Sequence, residues 1–528
     1  MPKLVADAPE LVTETGRSLH RPEPLKRLRR RLRMALALAA LAVMVFAGVL
    51  AAKWPFTRSR VTADLEGAMQ GRVEIGKFHQ TWFPPGCVAE DVTFKGYGSL
   101  PDSIPITVRK LTIQSSFHGL FTKHVSVLQA EGVRVIAPHA NSFSGWKQTQ
   151  SNSKVQSNSK VVVEKYIVTG SVLEFSHGAE TAPLQFAISR LELSSPDAHG
   201  VMTFQTTLHN PKPPGEVQAS GYLGPWKTGN SGQTPIAGSY SFKRANLAVF
   251  HGIAGNLSST GSFQGTVGQL EVRGKTITPD FELTDTAHKI PLVTQFQARV
   301  DSKRGDTLLE SVNAVLGRSR IEAAGNIQQN DNQKGKVTSV NLLVRNGRIQ
   351  DFLFLFLNDQ TPSATGRFDF KGTAVLPPEK APFAKKIQLQ GDFGVDAGHL
   401  SKPTAQEKLE QLSELAEGEK DDPPERVLSD LKGHVVLRGG IATFSTLSFS
   451  VPGATAKLHG TYSLLTHRIN LRGKVFMKAN LPQATKGVKS FFLKVINPFL
   501  KKNHHGGAIV PITVTGIYPH PIYKTDPI

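Results

Sequence analysis

After residue 56 the apolar residues recur with a period of two, and a 3.6-residue period is rare. Such alternation puts one class of side chain on each face of an extended strand. Thr107-Val108-Arg109-Lys110-Leu111-Thr112-Ile113 and Ser448-Phe449-Ser450-Val451 are short examples. A small element recurs with it: a Gly, one free residue, then apolar residues at alternate positions. It appears as GSYSF (Gly238–Phe242), GSFQG (Gly261–Gly265), GNIQ (Gly325–Gln328), GRFDF (Gly366–Phe370), GDFGV (Gly391–Val395) and GTYSL (Gly460–Leu464). It reads as a turn residue handing over to a strand. Irregular spacing of the copies predicts a long meander and no fixed-period solenoid. With 47 Gly and 33 Pro in 528 residues, turn formers favour many strands over long helices. The fold class expected is mainly β, an antiparallel sheet with a few short helices.

Ahead of this body, Met34 to Ala52 is an unbroken apolar run of nineteen residues. As a helix it would reach about 28 Å, close to the ~30 Å hydrocarbon core of a bilayer. Leu36, Leu38, Leu41, Val43, Val45, Phe46, Val49 and Leu50 are its anchor side chains. A cleaved signal peptide is the competing reading, but the run exceeds the ~7–15 apolar residues usual there and no clean A-x-A site closes it. Lys26, Arg27, Arg29, Arg30, Arg31 and Arg33 precede the run, which by the positive-inside rule places the N-terminus in the cytoplasm and the body outside it. Topology accounts for this basic cluster, so no nucleic-acid partner is expected.

Charge follows the same division. The net charge is +20, of which residues 1–33 supply +5 and residues 457–528 supply +10. The basic C-terminal region contains a second apolar pattern. On a helical wheel over residues 486–497 and just beyond, Val488, Phe491, Phe492, Val495 and Phe499 fall on one side, and Lys489 and Lys494 on the other. Pro498 should end that helix. It either caps the end of the β body or lies on an anionic membrane surface. A further helix is predicted at Thr404–Gly418, with Leu409, Leu412 and Leu415 on one face. The expected organisation is a basic tail (1–33), a membrane helix (34–53), an N-terminal β region (54–140), a low-complexity loop (141–160) and a repetitive sheet body (161–403). A helix with an acidic linker (404–424) and a C-terminal β region (425–528) complete it.

Motifs of chemistry are missing. GRVEIGKF (Gly71–Phe78) has the spacing of a phosphate loop but lacks its Ser/Thr, and Val73 and Ile75 mark it as a strand. No G-x-S-x-G or H-E-x-x-H occurs. His504-His505 lacks the further ligands a metal site needs, with Asp526 the one carboxylate in the last 72 residues. The single cysteine, Cys87, excludes a disulfide within the chain and reads as a small buried hydrophobe. No catalytic residue, metal or cofactor is expected, and the chain does not read as an enzyme.

The order of elements resembles the AsmA family of bacterial envelope proteins. A basic tail and single membrane helix are followed by G-R-V-E-I-G-K-F, W-F-P-P (Trp82–Pro85), E-D-V (Glu90–Val92), V-R-K-L-T-I (Val108–Ile113) and L-Q-A-E-G-V-R-V (Leu128–Val135). Near the end come S-D-L-K-G-H-V-V-L-R-G-G-I-A-T-F (Ser429–Phe444), V-P-G-A (Val451–Ala454), L-H-G-T-Y (Leu458–Tyr462), G-V-K-S (Gly487–Ser490) and P-I-T-V-T-G-I-Y-P-H-P (Pro511–Pro521). The resemblance covers roughly residues 26–140 and 400–528. It implies a single-pass inner-membrane protein with a periplasmic body, an elongated curved sheet forming a groove that carries phospholipid for outer-membrane biogenesis, and no catalytic residues. A membrane-anchored scaffold or assembly factor for outer-membrane or envelope proteins, without lipid transfer, is the alternative. Roughly 470 residues at ~12–15 per strand and turn allow about 30–40 strands. At ~4.8 Å per strand, such a sheet would extend at most ~150–190 Å.

Overall fold

The computed structural model describes residues 55–69, 71–95, 106–137, 161–175, 183–227, 231–302, 305–329, 335–357, 361–400, 429–451, 453–477 and 509–524. The chain divides into two units, Met1–Val61 and Thr62–Ile528. The second is one long sheet, antiparallel but for one pairing. Its strands are β1 (Arg72–Trp82), β2 (Pro85–Lys95), β3 (Ile106–Gln114), β4 (His124–Ala137), β5 (Val162–Phe175), β6 (Leu184–Ser194), β7 (Met202–Pro211) and β8 (Pro214–Leu223). They continue as β9 (Pro235–Asn246), β10 (Ile253–Ala254), β11 (Asn256–Thr266), β12 (Gln269–Leu283), β13 (Ile290–Asp301), β14 (Thr307–Leu316), β15 (Ser319–Gln329) and β16 (Lys336–Arg348). The last are β17 (Ala364–Leu376), β18 (Gln388–Leu400), β19 (Ser429–Arg438), β20 (Ile441–Val451), β21 (Ala454–Ser463), β22 (Arg468–Met477), β23 (Ile509–Ile517) and β24 (His520–Lys524).

Each strand pairs with its sequence neighbour, except that the two-residue β10 pairs with β12 beside the main sheet and β9 pairs directly with β11. The described residues contain 24 strands, single ones of which reach 14 or 15 residues. The one parallel pairing among the described strands joins β4 to β5. Parallel neighbours need a long connection and not a tight turn, which is the local reason for a long insertion between them. The described residues hold four α-helices: α1 (Arg58–Met69), α2 (Phe117–Thr122), α3 (Ile349–Phe356) and α4 (Phe383–Lys386). Ser116 caps α2 by accepting from the Gly119 N–H at 2.9 Å, and Lys123 ends it in a left-handed conformation.

The alternation breaks at one row, and it breaks in six strands at once. Apolar-face residues are two apart along β1–β6 except at Ile75/Phe78, Ala89/Val92, Val108/Leu111, Ala130/Val133, Val168/Ser171 and Ile188/Leu191, which are three apart. The intervening residues, Gly76-Lys77, Glu90-Asp91, Arg109-Lys110, Glu131-Gly132, Thr169-Gly170 and Ser189-Arg190, form a seam across the sheet. Asp91, Gly132 and Gly170 take positive φ there. Such residues shift the strand's phase by one, so apolar side chains return to the same face beyond the seam. Lys77–Glu90 and Arg109–Glu131, each 3.8 Å apart, pair along it.

Fully buried apolar side chains concentrate in three places: β1–β4, the neighbourhood of α3, and β19–β23. Cys87 lies in the first of these, with no exposed surface. Burial pushes its thiol pKa up to about 12, so it stays protonated and unreactive near neutrality. The folded chain should therefore resist maleimide labelling at pH 8 and react fully in denaturant. Cys87→Ser, which buries a hydroxyl in an apolar site, should cost about 1–3 kcal/mol in denaturant unfolding.

Candidate functional site

Register carries one chemical class of side chain across the whole sheet. Starting on β6, the paired residues run Leu193, Phe204, Gly221, Gly238, Phe263, Val272, Ala298, Leu309, Gly325 and Val340 through β16. They continue as Ala374, Leu389, Leu437, Ala442, Tyr462 and Ile469 through β22. One residue along each strand, the row is Glu192, Gln205, Ser220, Ser239, Ser262, Arg273, Gln297 and Ser311. The two faces are thus separated by chemistry from β6 to β14.

The polar face is knit by ion pairs such as Lys165–Glu192 at 2.6 Å and Arg299–Glu310 at 2.8 Å. Hydrogen bonds from Lys165 and Arg190 hold the Glu192 carboxyl below its usual range. A depression of about 730 Å³ on this face is lined by Lys165, Glu192, Gln205, Ser220 and Ser239. Its paired charges and small hydroxyls offer no reactive group.

The apolar face is covered unevenly. Between Ala130 and Ala245, no described apolar side chain is buried; Leu193, Phe204, Leu208 and Phe242 are all half-exposed. Full burial of such a side chain is worth ~1.5–3 kcal/mol, so part of that stabilisation is left unclaimed here.

Glycines shape this stretch. The sequence reading makes each recurring Gly a turn residue, but Gly238, Gly261, Gly325, Gly391 and Gly460 lie inside strands. Gly221 faces Gly238 and Gly261 faces Gly274 across neighbouring strands. A Cβ on Gly221 would overlap the Ala237 carbonyl and sit 2.6 Å from the Gly238 Cα. The adjoining strand has therefore swung toward the side from which side chains are missing. Aromatic rings fill the space. Phe204 and Phe263, on β7 and β11, bring their rings to 6.4 Å over the Gly221–Gly238 pair. The Tyr240 ring lies over Gly261, 2.9 Å from where a Cβ would be, and its hydroxyl meets Ser259 Oγ at 3.1 Å. Aromatic cover of strand glycines is the sheet's own compensation for a missing side chain.

Around α3 the same face is sealed. Leu355 packs with Leu283, Ile290 and Leu316, and Phe352 joins this cluster to that of Val344, Phe368, Phe370 and Val395. Asp351 in the first turn accepts from Ser319 Oγ at 2.7 Å and the Arg318 N–H at 3.0 Å. At the other end Thr286 Oγ1 donates to the Leu355 carbonyl at 2.8 Å, and His288 Nδ1 meets the Phe354 carbonyl at 2.7 Å. These bonds satisfy carbonyls that a helix end leaves without partners. The 377–387 connection, carrying α4, completes the seal. It leaves β17 and enters β18 at the strand ends shared with the β11–β12 turn, yet it contacts residues at the opposite ends. Phe383 reaches Phe356 with ring centroids 6.1 Å apart, the Ala384 N–H donates to Asp285 at 3.4 Å, and the Lys386 ammonium donates to the His251 carbonyl. Burial lowers the Lys386 pKa, opposed by Asp285 and Glu379.

The anchor residues Leu36 to Leu50, the topology cluster Lys26 to Arg33, the helix of residues 404–418 and the amphipathic residues Val488, Lys489, Phe491, Phe492, Lys494, Val495 and Phe499 lie outside the described residues. Among the described residues, no helix is long and apolar enough to cross a membrane, and no group of three or more His, Cys, Asp or Glu could hold a metal. Sequence reading missed α3, although Phe352, Leu355 and Phe356 fall on one helical face behind Asp351. Neither a family model nor a curated protein sequence matches the chain.

Gly221→Ala tests the close approach of β8 and β9. Forcing a methyl against the Ala237 carbonyl should destabilise the chain by about 1–3 kcal/mol, read as a lower midpoint in urea. Ala219→Gly, two residues away on the same face, should cost only the ~0.5–1 kcal/mol of lost chain entropy.

Proposed function

We propose that this chain is an inner-membrane-anchored, periplasmic β-protein of the AsmA type that binds phospholipid on its apolar face and conducts it toward the outer membrane. One observation carries the reading: an apolar face that is continuous in register and left half-exposed between Ala130 and Ala245. Acyl chains are a fitting occupant, because each CH₂ they bury gains ~0.8 kcal/mol and they demand no hydrogen-bond partner. In this reading the glycine-paired strands bend the sheet into a groove whose polar face meets water. The 34–53 segment supplies the anchor, and the cluster Lys26–Arg33 keeps the N-terminus cytoplasmic. The ordered similarity to the AsmA family supports the same assignment, and it makes the activity one of binding and transfer with no cofactor. A scaffold for outer-membrane proteins would be better served by a filled face and free strand edges.

Full-length protein extracted in mild detergent should carry phospholipid above the detergent background by native mass spectrometry. Leu193→Gln with Phe204→Gln should strip that lipid while the β-type circular dichroism stays unchanged, since both side chains are half-exposed. Wild-type protein repeatedly free of phospholipid would end the transfer reading and leave the scaffold.

A further inference from the structure

The apolar face has a partition built into it. α3 enters from the ends of β16 and β17, and the 377–387 connection enters from the ends of β17 and β18 that lie opposite. They meet at Phe356 and Phe383. Their contacts reach far along the chain: Thr286 to Leu355 spans 69 residues, Ala384 to Asp285 spans 99, and Lys386 to His251 spans 135. No acyl chain can lie where Leu355 packs on Leu283, Ile290 and Leu316.

We propose that α3 and the 377–387 connection close the acyl-binding stretch of the apolar face at β11, with Phe352 and Leu355 setting where an acyl chain stops. The inference rests on the phospholipid reading above and adds a limit to it. That stretch runs from β5 to β11, bounded at one end by the buried face of β1–β4 and at the other by the partition. Its six main-sheet strands make five steps of about 4.8 Å, or roughly 24 Å. One leaflet's acyl chains need about half of the ~30 Å hydrocarbon core, roughly 15 Å. The stretch holds the tails of one lipid layer and is too short for two lipids end to end. Phospholipid therefore does not slide past α3 while the partition is seated; transit requires α3 to lift from Ser319, Thr286 and His288, or the lipid to leave sideways.

The experiment uses the full-length chain reconstituted with vesicles of equal parts phosphatidylethanolamine and phosphatidylglycerol bearing tritiated acyl chains. A benzophenone amino acid replaces Phe204, Phe444 or Phe356 in turn, and the protein is irradiated. Label should appear at position 204 and be absent at 356 and 444, and label at 444 as strong as at 204 overturns the proposal. Label at 356 as strong as at 204 overturns the partition and leaves the lipid reading standing; no label at any position removes the lipid reading itself. In a background of Phe352→Ser with Leu355→Ser, label should appear at 356. If that background does not fold, Phe383→Ala, which loosens only the strap, replaces it. Persistent absence of label at 356 in a folded, loosened variant also overturns the proposal.

Discussion

Register is the constraint on which the other features depend. Strand side chains alternate with a period of two, so slipping any one pairing by a single residue would carry its apolar row to the polar face. The sheet must therefore keep phase from Leu193 on β6 to Ile469 on β22. The seam through Gly76, Asp91, Arg109, Gly132, Gly170 and Ser189 shows how phase is kept when it must change. A phase shift in one strand alone would split the face. Made in six adjacent strands at the same row, it leaves the apolar face continuous and puts two residues, at least one of them polar, between the apolar ones on each strand.

Given that continuity, the extent of cover decides what each part of the face does. Over β1–β4 and around α3 the apolar side chains are fully buried and contribute to stability as an ordinary core does. From β5 to β9 they are only half-buried, and the glycine pairs explain how such a sheet still holds its form. At Gly221–Gly238 and Gly261–Gly274 the strands approach more closely than side chains allow, and Phe204, Phe263 and Tyr240 recover contact area by lying across them. Those rings add apolar surface to the face. That surface suits flexible chains better than a ligand of fixed shape.

Much of this was legible in the sequence, and the misses have physical causes. Val73 and Ile75, Val108 and Ile113 declare their strands because one face is buried, and burial is what enforces alternation. The seam was not legible: Thr107–Ile113 reads as plain alternation although Arg109-Lys110 breaks it, and only pairing reveals that such breaks share one row. The recurring glycines were placed wrongly: a Gly before alternating apolar residues fits a turn and a mid-strand close approach equally well. The helix α3 was hidden because LFLF at Leu353–Phe356 matches a buried strand, and eight residues are too few for a clear helical period. The parallel step from β4 to β5 has no local signature apart from the length of the insertion between them.

The polar anchoring of α3 explains why a partition can coexist with a face meant for apolar chains. Packing alone would not distinguish the α3 side chains from acyl chains, since both offer CH groups to Leu283, Ile290 and Leu316. The bonds at Asp351, Thr286 and His288 do distinguish them, because a hydrocarbon tail cannot replace a hydrogen bond to Ser319 Oγ or satisfy the Thr286 hydroxyl. Breaking such bonds without replacement costs about 1–3 kcal/mol each. A tail pressing toward α3 gains nothing in apolar contact and loses those bonds, so the partition holds its place against an occupant of the same apolarity.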